Sequence, residues 1–248
     1  MGISDNPQSG SESEKAASWV KRWLSAERLT PYLAACKDDI RRALELYEWN
    51  VALSQVLMRD ISHFEVALRN AYDRVLSEIW AGSKHWLIDD DSPARKPVMR
   101  KARQGELDAN RINRRSIDAV VERLPHDTPS GSIVANLTLG FWVHLSDRSR
   151  ETTIWRTGLY RAWPKGTRRA DLQRSLDGIL RMRNRVAHSE RLFNPARSQP
   201  SPLAVDADLM RLLRDLCPEA AAYLYGDSEE TPVERYVLDH PAPAKVRL

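Results

Sequence analysis

Between Pro31 and Trp80 the chain holds no further proline and no glycine. Over that length Leu46, Trp49, Leu53, Val56, Leu57, Ile61, Phe64, Leu68, Ala71, Tyr72, Val75 and Ile79 recur at intervals of three and four. That spacing lays one wide apolar face along an α-helix. The stretch predicts one long helix or two nearly collinear ones, with Thr30 as N-cap, Pro31 at the first helical position and Gly82 as the stop. An isolated helix gains too little from its own hydrogen bonds to persist in water. This one therefore requires cover along much of its length, from other helices of the chain or from a second subunit.

The rest of the chain favours helix as well. Ala, Leu, Arg and Glu dominate and there are only 10 glycines in 248 residues, so the fold class is all-α. The expected architecture is a helical bundle with long N-terminal helices and extra peripheral ones. Residues 1–14 are small and polar and predict a disordered tail. Residues 15–226 form the single helical domain, and 227–248, with Pro241 and Pro243, a loosely attached tail. Within the domain, helices are predicted at 15–24, at 98–124 (strongly basic), at 132–145 (nearly continuous apolar residues), at 149–163 (aromatic), at 170–190, and at 206–225, which Pro218 divides.

Charge and composition exclude several classes. The formal charge is +4, but arginines cluster at 95–103, 111–115, 148–169 and 181–191. Local cationic runs suit a phosphate-bearing partner, and equally a solvated helical surface. Cys36 and Cys217 belong to no CxxC pair and read as small buried apolar groups in a reducing compartment. No apolar run is long enough to span a bilayer and no signal-peptide pattern follows Met1. The expectation is a cytoplasmic protein with no membrane partner. The six histidines are scattered, without HExxH or Cys/His pairs, so neither a metal nor any other cofactor is expected.

The segment with chemical content is 176–191. Leu176, Ile179, Leu180, Met182 and Val186 supply its core face. At about 100° per residue, Arg181, Asn184 and His188 fall on one side, while Arg183 lies about 140° from His188. An imidazole, an amide and guanidiniums on or near one stripe suit RNA cleavage through the 2′-hydroxyl. A group that titrates near neutrality can move the proton, and a planar cation can hold the phosphate. An Arg and a His five apart are weak grounds, since about two such matches arise by chance here. Arg235 and His240 match too, in a proline-rich stretch read as non-helical. His188 alone also reads as a C-terminal histidine favoured by the helix dipole.

Three separated elements narrow the choice. Arg183-Asn184-x-x-x-His188 resembles the RNxxxH motif of the HEPN superfamily. Leu46-Tyr47-x-x-Asn50, followed by Glu65-x-x-x-Arg69-Asn70, resembles the pattern of Abi-like (abortive-infection) proteins of the AbiD/AbiF type. Gly140-Phe141-Trp142, followed by Trp155, resembles that family's Gly-Phe-Trp element. The resemblance covers about residues 29–193. It implies a HEPN-type bundle, dimerisation, and metal-independent endoribonuclease activity used as a toxin or in phage defence. It places Arg183, Asn184 and His188 at the catalytic positions. Glu65, Arg69, Asn70 and Arg181 become supporting residues, although Glu65 and Arg69 alone read as an i,i+4 pair. The implied partners are an RNA substrate and a second copy sharing a composite site, with an antitoxin protein or a small regulatory RNA as restraint. Arg103, Arg111, Arg114, Arg115, Arg185 and Arg191 are the candidate RNA contacts. The eight tryptophans are assigned to core packing. The competing readings are a non-catalytic RNA-binding member of the fold and a helical scaffold.

Overall fold

The computed structural model describes residues 18–102 and 105–248. The expected disorder at 1–14 and the candidate RNA contact Arg103 lie outside the described residues. The proline-free stretch folds as two helices rather than one rod. Helix α1 (Ala26–Ala35) is capped by Ser25, whose side chain accepts from the Arg28 N–H. Pro31 therefore sits inside α1 instead of at its start, where its missing N–H removes one intrahelical bond. The Thr30 hydroxyl bonds the Ala26 carbonyl at 2.8 Å instead of capping. Lys37 and Asp38, at φ 55° and 61°, turn the chain. Asp39 then caps α2 (Ile40–Ile79), accepting from the Arg41 and Arg42 N–H groups at 3.0 and 3.1 Å.

Helix α2 runs for 40 residues and buries the stripe that its spacing announces, from Leu46 through Leu53, Phe64 and Leu68 to Tyr72. After it come a β-hairpin (β1 Met99–Ala102, β2 Gly105–Asp108), α3 (Arg111–Arg123), α4 (Ser130–Asn136) and α5 (Leu139–His144). Three irregular turns follow, Arg148–Arg150, Glu151–Trp155 and Leu159–Ala162, then α6 (Arg169–Ala187), α7 (Pro202–Leu216), α8 (Pro218–Tyr225) and α9 (Pro232–Asp239). Helices α1, α6, α7 and α9 all pack on α2. The fold is all-α with one small hairpin. Among the described residues no helix is long and apolar enough to cross a membrane.

Four further sequence expectations are corrected. The basic segment 98–124 is a hairpin followed by a shorter helix. Gly105, at φ 101°, permits the reversal. The Asp108 carboxylate accepts from the N–H groups of Val98 and Asn110, both at 2.9 Å, and so closes the hairpin's base. The apolar run 132–145 splits at Leu137 and Thr138, which are extended. Leu137 stays buried, and the break falls between Asn136 and Thr138, polar residues at the end of one helix and the N-cap of the next. The aromatic segment 149–163 is not an α-helix but a succession of 3-10 and π turns. A Cβ on Gly158 would lie 2.6 Å from Ile79 Cδ1, so glycine lets this segment approach the end of α2. Arg150 is buried there, donating to Asn110 Oδ1 (2.8 Å) and to the carbonyls of Ala109 (2.7 Å) and His144 (2.9 Å).

The fourth correction concerns 227–248, expected to be loosely attached. Thr231 and Glu234 form a capping box, Pro232 takes the first helical position, and Val233 is fully buried. Arg235 thus lies in a helix that Pro232 helps to start. Trp49 Nε1 donates to the His240 carbonyl at 2.7 Å and the Tyr236 hydroxyl to the Trp49 carbonyl at 3.2 Å.

Under α9 two carboxylates, Asp60 of α2 and Asp206 of α7, are buried near one another. Asp206 Oδ2 accepts from the Val233 N–H at 2.8 Å, while Oδ1 has no partner. Burial, reinforced by the Asp60 charge, pushes Asp206 up to about 6 from 3.8. A carboxyl raised in the folded state contributes stability that is complete below the unfolded value and lost as pH climbs through the folded one. We expect Asp206→Asn to stabilise the protein by ~1–3 kcal/mol at about pH 7.5, with the gain vanishing near pH 4. Urea titrations at the two pH values check this, and a variant no more stable than wild type at the higher pH contradicts it.

Candidate active site

Helix α6 buries Leu172, Leu176, Ile179 and Met182. That leaves Arg181, Asn184 and His188 on its exposed side, as the helical period requires. Arg183 is partly buried on the flank. On the neighbouring α2, Glu65 is half-buried. Burial raises its carboxyl, and the guanidiniums of Arg183 and Arg69, with the Leu139 N–H at the head of α5, oppose that rise. Arg183 Nη1 also donates to Asn184 Oδ1 at 3.4 Å. The fold thus gathers Glu65, Arg69, Arg183 and Asn184. Arg69 donates to the Ala135 carbonyl at 3.2 Å, tying α2 to α4 instead of closing an i,i+4 ion pair with Glu65.

The end of α6 is more elaborate than its sequence suggests. The helix was expected to run to residue 190 and stops at Ala187, with His188 as C-cap. Ser189 is left-handed (φ 52°). Its N–H bonds the Val186 carbonyl at 3.0 Å, and the Glu190 N–H bonds the Arg185 carbonyl at 2.9 Å. These two bonds make a Schellman cap. An apolar contact often spans such a cap; here Arg185 and Glu190 form an ion pair at 3.5 Å. The Arg185 guanidinium is buried and also donates to the carbonyls of Arg191 (2.6 Å) and Pro200 (3.3 Å). The expectation of Arg185 as an RNA contact is therefore corrected: it holds the chain that leaves the helix. From α1, Arg28 donates to the carbonyls of His188 (3.4 Å) and Ser189 (3.2 Å). Sequence reading missed Arg28, because a polar arginine on an amphipathic helix gives no signal. The His188 imidazole is exposed.

Other candidates scatter. Asn70 is exposed and lines a groove with Val66, Leu213 and Leu216, away from the motif. That corrects its assignment as a supporting residue. Arg114 is paired with Asp108 at 2.5 Å and donates to the Arg95 carbonyl at 2.8 Å, so it braces the hairpin instead of offering a free cation. Arg111 and Arg115 are exposed on α3. Arg191 is exposed, stands over the Phe193 ring at 5.9 Å, and lines a cleft of about 500 Å³ with Arg28, Tyr32 and Gln199. Among the described residues no group of three or more His, Cys, Asp and Glu side chains is placed to hold a metal ion.

This division of the arginines is measurable. Arg185→Ala should cost about 1–3 kcal/mol, because it leaves the Arg191 and Pro200 carbonyls without their donor. Arg111→Ala and Arg115→Ala should stay within about 0.5 kcal/mol of wild type. Chemical denaturation of the three variants decides it, and equal stabilities would contradict the assignment.

A family model described as Abi-like protein matches residues 28–194. That span opens in α1 at Arg28 and closes just past Phe193, taking in Glu65, Arg183, Asn184 and His188. No curated protein and no solved structure matches the chain.

Proposed function

The chain belongs to the Abi-like protein family, and we propose that it is a metal-independent endoribonuclease of HEPN type, a toxin that cuts RNA. Family membership suggests abortive infection or phage defence as its setting. The observation that carries the reading is the placement of the motif. Arg181, Asn184 and His188 share one exposed face at the end of α6, with Arg183 on the flank under the field of Glu65. A half-buried carboxylate beside a guanidinium limits the conformations that the cation samples, which suits a group that must meet a phosphate.

In the proposed mechanism His188 takes the proton of a ribose 2′-hydroxyl as its oxygen attacks the adjacent phosphorus. The 5′-oxygen leaves with a proton from the partner subunit's His188, since a single chain supplies only half of a two-histidine acid–base pair. Arg183 holds the phosphate and the charge that grows on it, and Asn184 fixes Arg183 or the phosphate by hydrogen bonding. The products carry 2′,3′-cyclic phosphate and 5′-hydroxyl ends. An antitoxin protein or a small regulatory RNA would restrain the activity.

Incubation with total RNA in EDTA tests the reading. Wild type should cut, and His188→Ala should lose about 10²–10⁴-fold in rate while still folding and binding RNA. Arg183→Lys should be impaired as well, because an ammonium cannot replace a two-pronged guanidinium. RNA that is bound but never cut would make the protein a non-catalytic member of the fold. Cleavage that requires Mg²⁺ would refute the mechanism.

A further inference from the structure

The Leu46-Tyr47-x-x-Asn50 string has no part in the chemistry above, yet Asn50 reaches the chain that follows His188 directly and Tyr47 reaches it through Tyr32. Leu46 is core. Tyr47 packs edge-on against Tyr32 (5.6 Å), which packs edge-on against Phe193 (5.1 Å). Asn50 is only 2% exposed. Its Nδ2 donates to the Glu190 carbonyl at 3.3 Å, and its Oδ1 accepts from the Leu192 N–H at 2.7 Å. One amide thus serves both a carbonyl and an N–H two residues apart, as a neighbouring β-strand would. Aspartate cannot donate when ionised, and glutamine is a methylene too long. From the other side Arg28 spans the carbonyls of His188 and Ser189.

A helix C-terminus is where backbone hydrogen bonds run out and fraying begins. His188 stands there, past the last helical residue. An imidazole on a frayed end would sample many positions, and misplacement of a proton-transfer group by an ångström is costly. We infer that Asn50 and Arg28 are positioning residues for His188, which hold the backbone at its cap and just beyond it, so that the exposed ring projects from a fixed point. The inference rests on the reading of His188 as the proton-transfer group, but its structural half is testable without RNA.

The experiment records the His188 ring resonances and the exchange rate of the Leu192 amide in the ligand-free full chain, alongside RNA cleavage in EDTA. Wild type is compared with Arg28→Ala, Arg28→Lys and Asn50→Asp. Arg28 is exposed, so its variants keep the fold even if Asn50→Asp does not. The Arg28 variants should shift or split the His188 signals, and Asn50→Asp should also speed exchange at Leu192. Each should lower kcat by about 10–100-fold with KM unchanged. Arg28→Lys keeps the charge but cannot span two carbonyls, so it should behave like Arg28→Ala. Wild-type His188 signals in both Arg28 variants, or in Arg28→Lys alone, would overturn the role of Arg28. Wild-type signals and exchange in a folded Asn50→Asp would overturn that of Asn50. If wild type cuts no RNA, the ribonuclease reading fails and the resonances still decide whether the cap is held.

Discussion

The cover that α2 requires organises the molecule. A helix of 40 residues is about 60 Å long and carries an apolar stripe for most of that length. It is stable because α1, α6, α7 and α9, with α4, α5 and the Leu159–Ala162 turn, cover the stripe. Polar groups on α2 consequently face other helices at known points. Asn50 meets the chain that leaves α6, Asp60 meets α7 and α8, and Glu65 meets α5 and α6. One long helix thus sets the register of the motif, its electrostatic support and the C-terminal layer together.

The same arrangement separates arginines that look alike in sequence. Burial converts Arg150 and Arg185 into multi-carbonyl clamps, and Arg114 into a brace. A guanidinium taken from water must recover hydrogen bonds, and Arg185 does so through its two Nη groups while its Nε faces Glu190 at 3.5 Å. Arg181, Arg111, Arg115 and Arg191 keep their solvent exposure and, on the proposed reading, are cations open to a phosphate backbone. On the proposed reading, Arg183 stands between these groups, anchored by its field with Glu65 and still near the exposed face.

The legible parts of the fold were those with a period. The stripe of α2, the core face of α6 and the grouping of Arg181, Asn184 and His188 follow from 3.6 residues per turn. The division at Pro218 follows from proline chemistry. What escaped had no local signal. The hairpin at 99–108 depends on an Asp108 carboxylate closing its base, and the turns from Arg148 to Ala162 depend on the buried Arg150 and on the room left by Gly158. Helix α9 was misread because prolines count as breakers, although one at the first helical position assists a start. The Schellman cap is set by tertiary partners, with serine at the position that glycine usually takes, so no local residue marks the end of α6. The Asn50 string was visible as a pattern, but its purpose lies about 140 residues downstream, a distance that periodicity cannot bridge.

The central claim is that the motif on α6 uses the ribose 2′-hydroxyl as nucleophile. The most direct measurement maps a cleavage site in an RNA oligonucleotide, then replaces the single ribose 5′ to the cut with 2′-deoxyribose. The account predicts that cleavage at that bond disappears while cuts elsewhere in the strand persist. Continued cleavage at the deoxy position would contradict it, since the attacking oxygen would then have come from elsewhere.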